Sequence, residues 1–121
     1  MILSALPKTW LLDLDGTIVK HNGYKLDGRD SFLPGAEEFL KSLSADDMII
    51  FVTSRTEEYR ELTEHFLQEN GIRYDHLIFG APYGERILIN DRKPSGLEMA
   101  YCYSKDRDAG VELQIELDET L

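Results

Sequence analysis

The sequence predicts an α/β domain: a three-layer α/β/α sandwich around a mostly parallel sheet of about five strands. Three observations carry that expectation. Short apolar runs of strand length recur at residues 10–12, 48–52, 76–79 and 86–89. Segments of helical period, 33–43 and 57–69, stand between them. Three of the runs end in polar signatures, Asp13-Leu14-Asp15, Thr53-Ser54-Arg55 and Asn90-Asp91. In parallel sheets the site lies beyond the carboxyl ends of the strands, so these three ends can converge there.

The first run, Trp10-Leu11-Leu12, leads into Asp13-Leu14-Asp15-Gly16-Thr17. A strand's period of two sends Asp13 and Asp15 the same way. Carboxylates converging at a strand end repel each other unless a cation sits between them, and Gly16 lets the chain bend sharply beyond. The same residues would also make an ordinary strand end with two solvated aspartates. Residues 18–32, rich in Gly, Asp, Asn, Lys and His, read as an excursion that leaves the sheet and returns as a small hairpin. In 33–43, Pro34 suits the first helical position and Glu37 and Glu38 its first turn, while Phe39, Leu40 and Leu43 share a face. Met48–Val52 is apolar on both faces, as a central parallel strand should be.

The next helix, 57–69, is capped near Thr56 and stopped by Asn70-Gly71, with Tyr59, Leu62, Phe66 and Leu67 on its apolar face. His65, among charges on this helix, reads as a solvated histidine. A short strand at 76–79, a loop at 80–84 and a buried strand at 86–91 are expected next. A fifth strand is expected at 100–103. The tail, 111–121, alternates Val111, Leu113, Ile115 and Leu117, a pattern open to edge pairing or to an extended tail.

The whole chain, 1–121, is expected to form one domain without disulfide or structural metal. Its one cysteine, Cys102, lies in an apolar run and reads as core, which fits a reducing compartment. The first eight residues lack the basic region and apolar length of a secretory leader, and no run approaches a membrane span of about 18 residues. A cytoplasmic protein is expected. Thirteen Lys and Arg against 23 Asp and Glu leave a net charge of −10. That field repels nucleic-acid backbone and anionic membrane, so no broad surface for either is expected.

Asp13-Leu14-Asp15-Gly16-Thr17 resembles motif I of the haloacid dehalogenase-like (HAD) phosphohydrolases. Phe51-Val52-Thr53-Ser54-Arg55 resembles motif II, and Ile87-Leu88-Ile89-Asn90-Asp91-Arg92 resembles motif IV, in family order across most of the chain. The resemblance implies a Rossmann-like core and a magnesium-dependent phosphatase. Asp13 would be the nucleophile that forms an aspartyl-phosphate. Asp15 would be general acid and then general base. Mg2+ would sit among the Asp13 carboxylate, the Asp15 carbonyl, Asp91 and waters, with Asn90 orienting a water or Asp91. Thr53 and the backbone N–H of Ser54 would bind phosphoryl oxygens beside Gly16, and Arg55 would meet other groups of the substrate.

Two departures from the family pattern stand out. Motif IV is often Asp-Asp in the family, and here its first position is Asn90. The motif III cation is missing from the loop Gly80-Ala81-Pro82, which leaves Lys93, Arg86, Arg92 and Arg55 as candidates. Lys93, just past the strand end, is the one expected to fill the role; Arg86, at the strand's far end, reads as a solvated charge. The intervals from Asp15 to Thr53 and from Thr53 to Asp91 hold no lid of about 60 residues or more with its own core. A capless member is implied, whose open site takes large substrates or is covered by the excursion, the tail or a neighbouring subunit of a homo-oligomer. Tyr24, Lys25, Arg29 and Asp30 would then be specificity candidates. A looser resemblance of 89–96 to small hydrolases of bacterial surface-polysaccharide pathways ranks a phosphorylated sugar, sugar-like metabolite or glycoconjugate first as substrate. A nucleotide or nucleic-acid end comes second. The rival readings are a non-catalytic phosphate- or metal-binding module on the same fold, a receiver-like signalling domain, and a phosphotransferase.

Overall fold

The computed structural model describes all residues, Met1–Leu121. In chain order it forms β1 (Ile2–Ser4), β2 (Thr9–Leu12), the one-turn helix α1 (Gly23–Leu26), α2 (Ala36–Ser42) and β3 (Met48–Val52). A 3₁₀ turn at Glu57–Tyr59 then runs into α3 (Arg60–Glu69), followed by β4 (His76–Ile78) and β5 (Glu116–Asp118). The strands make two parallel sheets, one of order β2-β3-β4 and one pairing β1 with β5. The chain is thus a small α/β protein. None of its helices is long and apolar enough to cross a membrane.

β3 is central, as its unbroken apolar run predicts. Register pairs Trp10 with Ile49, Leu12 with Phe51 and Phe51 with Leu77, so these side chains share one face. Ile49 and Phe51 are fully buried there with Ala36 and Leu40 of α2, Leu67 of α3, and Leu14, Ile18 and Val19 from the turn after β2. Trp10 meets Phe39 edge to face at 5.5 Å, and its Nε1 donates to Asp47 at 3.0 Å. Asp47 also accepts from the Lys8 amide at 2.9 Å, tying the entry of β2 to the entry of β3. The opposite face of the sheet is less covered: Leu11 is 51% exposed and Ile78 49%. Helices therefore pack on a single face of the three-stranded sheet.

Residues 18–32 do leave and return, with Val19 and Phe32 forming an antiparallel bridge, but α1 stands where a hairpin was expected. The helices at 33–43 and 57–69 and the strand at 76–79 form close to the expected bounds. The strands expected at 86–91 and 100–103 do not form. Ile87 and Ile89 are 81% and 91% exposed, and Tyr101 and Tyr103 are more than half exposed. An apolar run becomes a strand only where a ladder accepts it. Here the side chains bind locally instead: Asn90 donates to the Met99 carbonyl at 3.1 Å and accepts from the Asp91 amide at 3.0 Å. Cys102, expected in the core, is exposed for the same reason.

The tail returns to the body at two places. β5 pairs with β1, Leu3 opposite Leu117. Ahead of it, Gly110-Val111 lies against Pro34-Gly35 at the start of α2, where the Val111 amide donates to the Pro34 carbonyl at 2.9 Å. The two backbones touch so closely that a Cβ on Gly110 would stand 2.3 Å from the Pro34 oxygen, and one on Gly35 2.5 Å from the Val111 oxygen. Both glycines also have positive φ, +87° and +77°.

Candidate active site

Asp13 is the first residue past β2, and the Leu12–Phe51 pairing sets it level with the end of β3. Its carboxylate is held from two sides. Thr17 Oγ1 donates to Oδ2 at 3.0 Å, and Arg86 Nη1 donates to Oδ1 at 2.8 Å. The side chain keeps 36% of its surface exposed, so the group is oriented and reachable. Behind it the chain turns tightly: the amides of Thr17, Ile18 and Val19 all point to the Leu14 carbonyl. The Gly16 amide, expected beside a phosphate, donates within this turn to Val19 O at 2.8 Å. Asp108 lies across the turn, its amide on Gly16 O at 2.9 Å and its Oδ1 on the His21 amide at 2.9 Å.

Asp15 belongs to a second cluster built on Arg55. Sequence reasoning aimed Arg55 at the substrate; the structure buries its side chain to 1% exposure. All five of its N–H donors are taken. Nε and Nη2 reach the two oxygens of Asp15 at 2.9 and 3.0 Å. Nη1 and Nη2 reach the two oxygens of Asp30 at 3.0 and 2.7 Å, and Nη1 also reaches Thr63 Oγ1 at 2.8 Å. Thr63 passes the chain on by donating to Tyr59 O at 2.8 Å. The Tyr24 ring stacks 4.0 Å from the guanidinium and meets Tyr59 edge to face. Burial works against the charge of Arg55, but its hydrogen bonds to Asp15 and Asp30, reinforced by their charges, outweigh it and raise the guanidinium above its ordinary range. Burial, then the nearby Asp15 charge, raises the Tyr24 phenol. Tyr24 and Asp30, expected to read substrates, thus frame Arg55, while Lys25 and Arg29 stay exposed.

At the end of β3, Thr53 is buried, and its hydroxyl accepts the Arg55 amide at 3.1 Å, the turn-capping role such a residue also fits. The amide of Ser54 makes no hydrogen bond within the chain, and its hydroxyl lies 3.5 Å from Pro82 O. Of the motif III candidates, Arg86 and not Lys93 is the one set on Asp13. Lys93 is exposed in a turn closed by its own backbone bonds with Gly96 and Leu97. Arg92 pairs with Glu98. The contact of Arg86 spans 73 positions, and only the missing 86–91 strand allows it.

The donor set does not fit the implied magnesium ion as arranged. Both carboxylate oxygens of Asp13 already accept a hydrogen bond, and Asp91 is exposed. No three His, Cys, Asp or Glu side chains gather into a group able to hold a metal.

A cavity of about 610 Å³ opens beside Asp13, Thr17 and Arg86. It runs along β2 past Leu11 and Leu12 and beneath Leu88, Met99, Tyr101 and Tyr103. The volume lies within the usual range for a small-molecule site. Comparison of the chain with protein families, with curated proteins and with solved structures finds no match.

Proposed function

We propose that this chain is a cytoplasmic phosphomonoester hydrolase of the haloacid dehalogenase-like type, acting through an aspartyl-phosphate on Asp13. The observation that carries the reading is the pair of oriented carboxylates at one sheet edge, each set by its own arginine. Asp13 is partly exposed and is aimed by Thr17 and Arg86. In the first step its carboxylate oxygen attacks phosphorus, the P–O bond to the alcohol breaks, and Asp15 gives its proton to the departing oxygen. In the second, water attacks the phosphoryl group, Asp15 takes the proton, and phosphate leaves with Asp13 restored.

An incoming phosphate dianion competes with Asp13 for Arg86, which frees the nucleophile as it anchors the substrate. The open amide of Ser54 supplies a further donor near the same edge. A phosphorylated sugar, sugar-like metabolite or glycoconjugate of a surface-polysaccharide pathway is the proposed substrate class. A nucleotide or nucleic-acid end is the alternative, and a second subunit would close the open site. The finer fold proposed is a single sheet of about five strands in a three-layer sandwich. No step here passes through a metal ion, and the experiment measures magnesium dependence separately.

A second reading, a non-catalytic binding module, is favoured by the same bonding: every oxygen of Asp13 and Asp15 already accepts a hydrogen bond within the chain. Phosphate release from a panel of sugar, polyol, nucleotide and aryl phosphates, with and without magnesium, separates the two. Release that Asp13→Asn abolishes supports the hydrolase. Silence of the wild-type protein across the panel, with inorganic phosphate bound by calorimetry, supports the module.

A further inference from the structure

We infer that Arg55, with Asp30 behind it, is a positioning residue that fixes the carboxylate of Asp15 for proton transfer and never touches the substrate. The inference rests on the phosphohydrolase reading above and assigns a role within the same site. Arg55 and Asp30 are each 1% exposed at the side chain, whereas Asp15 is 16% exposed. Asp15 is therefore the only acid of the triad open to solvent, and Arg55 can influence the chemistry only through it.

The geometry is that of a vice. Two parallel N–H bonds fix both the direction and the plane of the Asp15 carboxylate, a specificity a lysine ammonium cannot supply. The guanidinium is itself immobilised by parts distant in sequence: Asp30 from the excursion, Thr63 of α3, and the ring of Tyr24 on α1. Each Asp15 oxygen accepts one bond from Arg55 and keeps a lone pair, so an aimed proton site remains.

Buried ion triads are often no more stabilising than apolar replacements, which makes stability a poor explanation for this one. Orientation of a proton-transfer group explains why the exposed acid of the triad stands two residues along the chain from the nucleophile. Thr53, through its contact with the Arg55 amide, fixes where the side chain starts.

The test compares two substrates of one shape, phenyl phosphate and para-nitrophenyl phosphate. The nitrophenolate leaves without help from a general acid; the phenolate needs it. A positioned acid contributes about 10²–10⁴-fold. Arg55→Lys should therefore lower kcat/KM for phenyl phosphate by about 100-fold or more and for para-nitrophenyl phosphate by about tenfold or less. Equal losses on both substrates, carried by a higher KM, would make Arg55 a phosphate-binding group and overturn the inference. Should Arg55→Lys fail to fold by circular dichroism, Asp30→Asn decides, since it nearly keeps the side-chain shape while taking one acceptor oxygen from the guanidinium. It should shift the ratio of the two rates the same way by about threefold or more, and an unchanged ratio overturns the inference. Wild-type protein that cleaves neither ester overturns the hydrolase reading and this one together. Cleavage with an unshifted ratio overturns this one alone.

Discussion

Replacing Gly110 by alanine should weaken the protein by about 1.5–3.5 kcal/mol, the sum of a backbone-conformation cost and a collision. An L-residue at φ +87° costs about 1–2 kcal/mol. The new Cβ would lie 2.3 Å from the Pro34 oxygen, a backbone atom that cannot swing aside as a side chain can. Relief requires the two backbones to part, which breaks the bond from the Val111 amide to Pro34, worth about 0.5–1.5 kcal/mol net. Two control glycines separate the contributions. Gly28 has φ +75° but open space around it, so Gly28→Ala should show the conformational cost alone, about 1 kcal/mol. Gly84 has neither constraint, and its alanine variant should stay within about 0.5 kcal/mol of the parent. Urea denaturation gives the three values. Hydrogen exchange at the Val111 amide shows whether the tail alone has let go, which would cap the global loss at the worth of the tail's contacts. Gly110→Ala no weaker than Gly28→Ala by both measurements would refute the close approach of the tail to α2.

Three further outcomes follow from contacts already described. Asp47→Ala removes the acceptor for both the Lys8 amide and Trp10 Nε1, so stability should fall by about 2–4 kcal/mol in urea melts and the fluorescence of the single tryptophan should shift red. The Tyr24 phenol is raised in the folded state by burial and by Asp15. The unfolded chain therefore loses that proton first, near pH 10, and stability should decline as pH rises beyond that point. Tyr24→Phe should flatten this decline, and an identical slope in both proteins would argue against the burial. Arg86→Ala leaves Asp13 Oδ1 free, so phosphate-ester turnover should drop about 100-fold or more if Arg86 anchors the phosphoryl group. A variant as active as its parent would remove Arg86 from the site.

The parts of the fold legible in the sequence are those whose signals are local. β3 declares itself by five consecutive apolar residues, and α2 by Pro34 and the Phe39-Leu40-Leu43 face. Asp13 is legible at a strand end because the apolar run stops there, just before a glycine turn, whereas Asp15 lies three residues past β2 and is bonded to Arg55. Residues 86–103 carry an equally clear apolar run, yet a strand also needs a free ladder and a fitting register, and neither is written in the run itself. Arg55 failed as a sequence reading for a similar reason. Its partners lie 40, 25 and 8 positions away, and nothing next to it announces that two acids and a threonine will surround it. A usable hint did exist: a charged residue within a few positions of the end of a fully apolar strand can start its side chain in the core and must then find partners there. Arg86 was visible as a candidate cation, but the strand expected around it directed it away from Asp13.

The pairing of β1 with β5 bears on the order in which the molecule assembles. Ile2 meets Glu116 only after nearly the entire chain has been brought back on itself. Closing so long a loop carries its entropy cost before any contact offsets it, and a two-stranded ribbon on its own is marginal in water. The three-stranded sheet, whose partners lie nearer in sequence, can condense first and hold Pro34-Gly35 ready for Gly110-Val111. The outer ribbon then zips last on folding and frays first on unfolding. Its amides should report the earliest openings of the native state, well below the threshold at which the β3 core gives way.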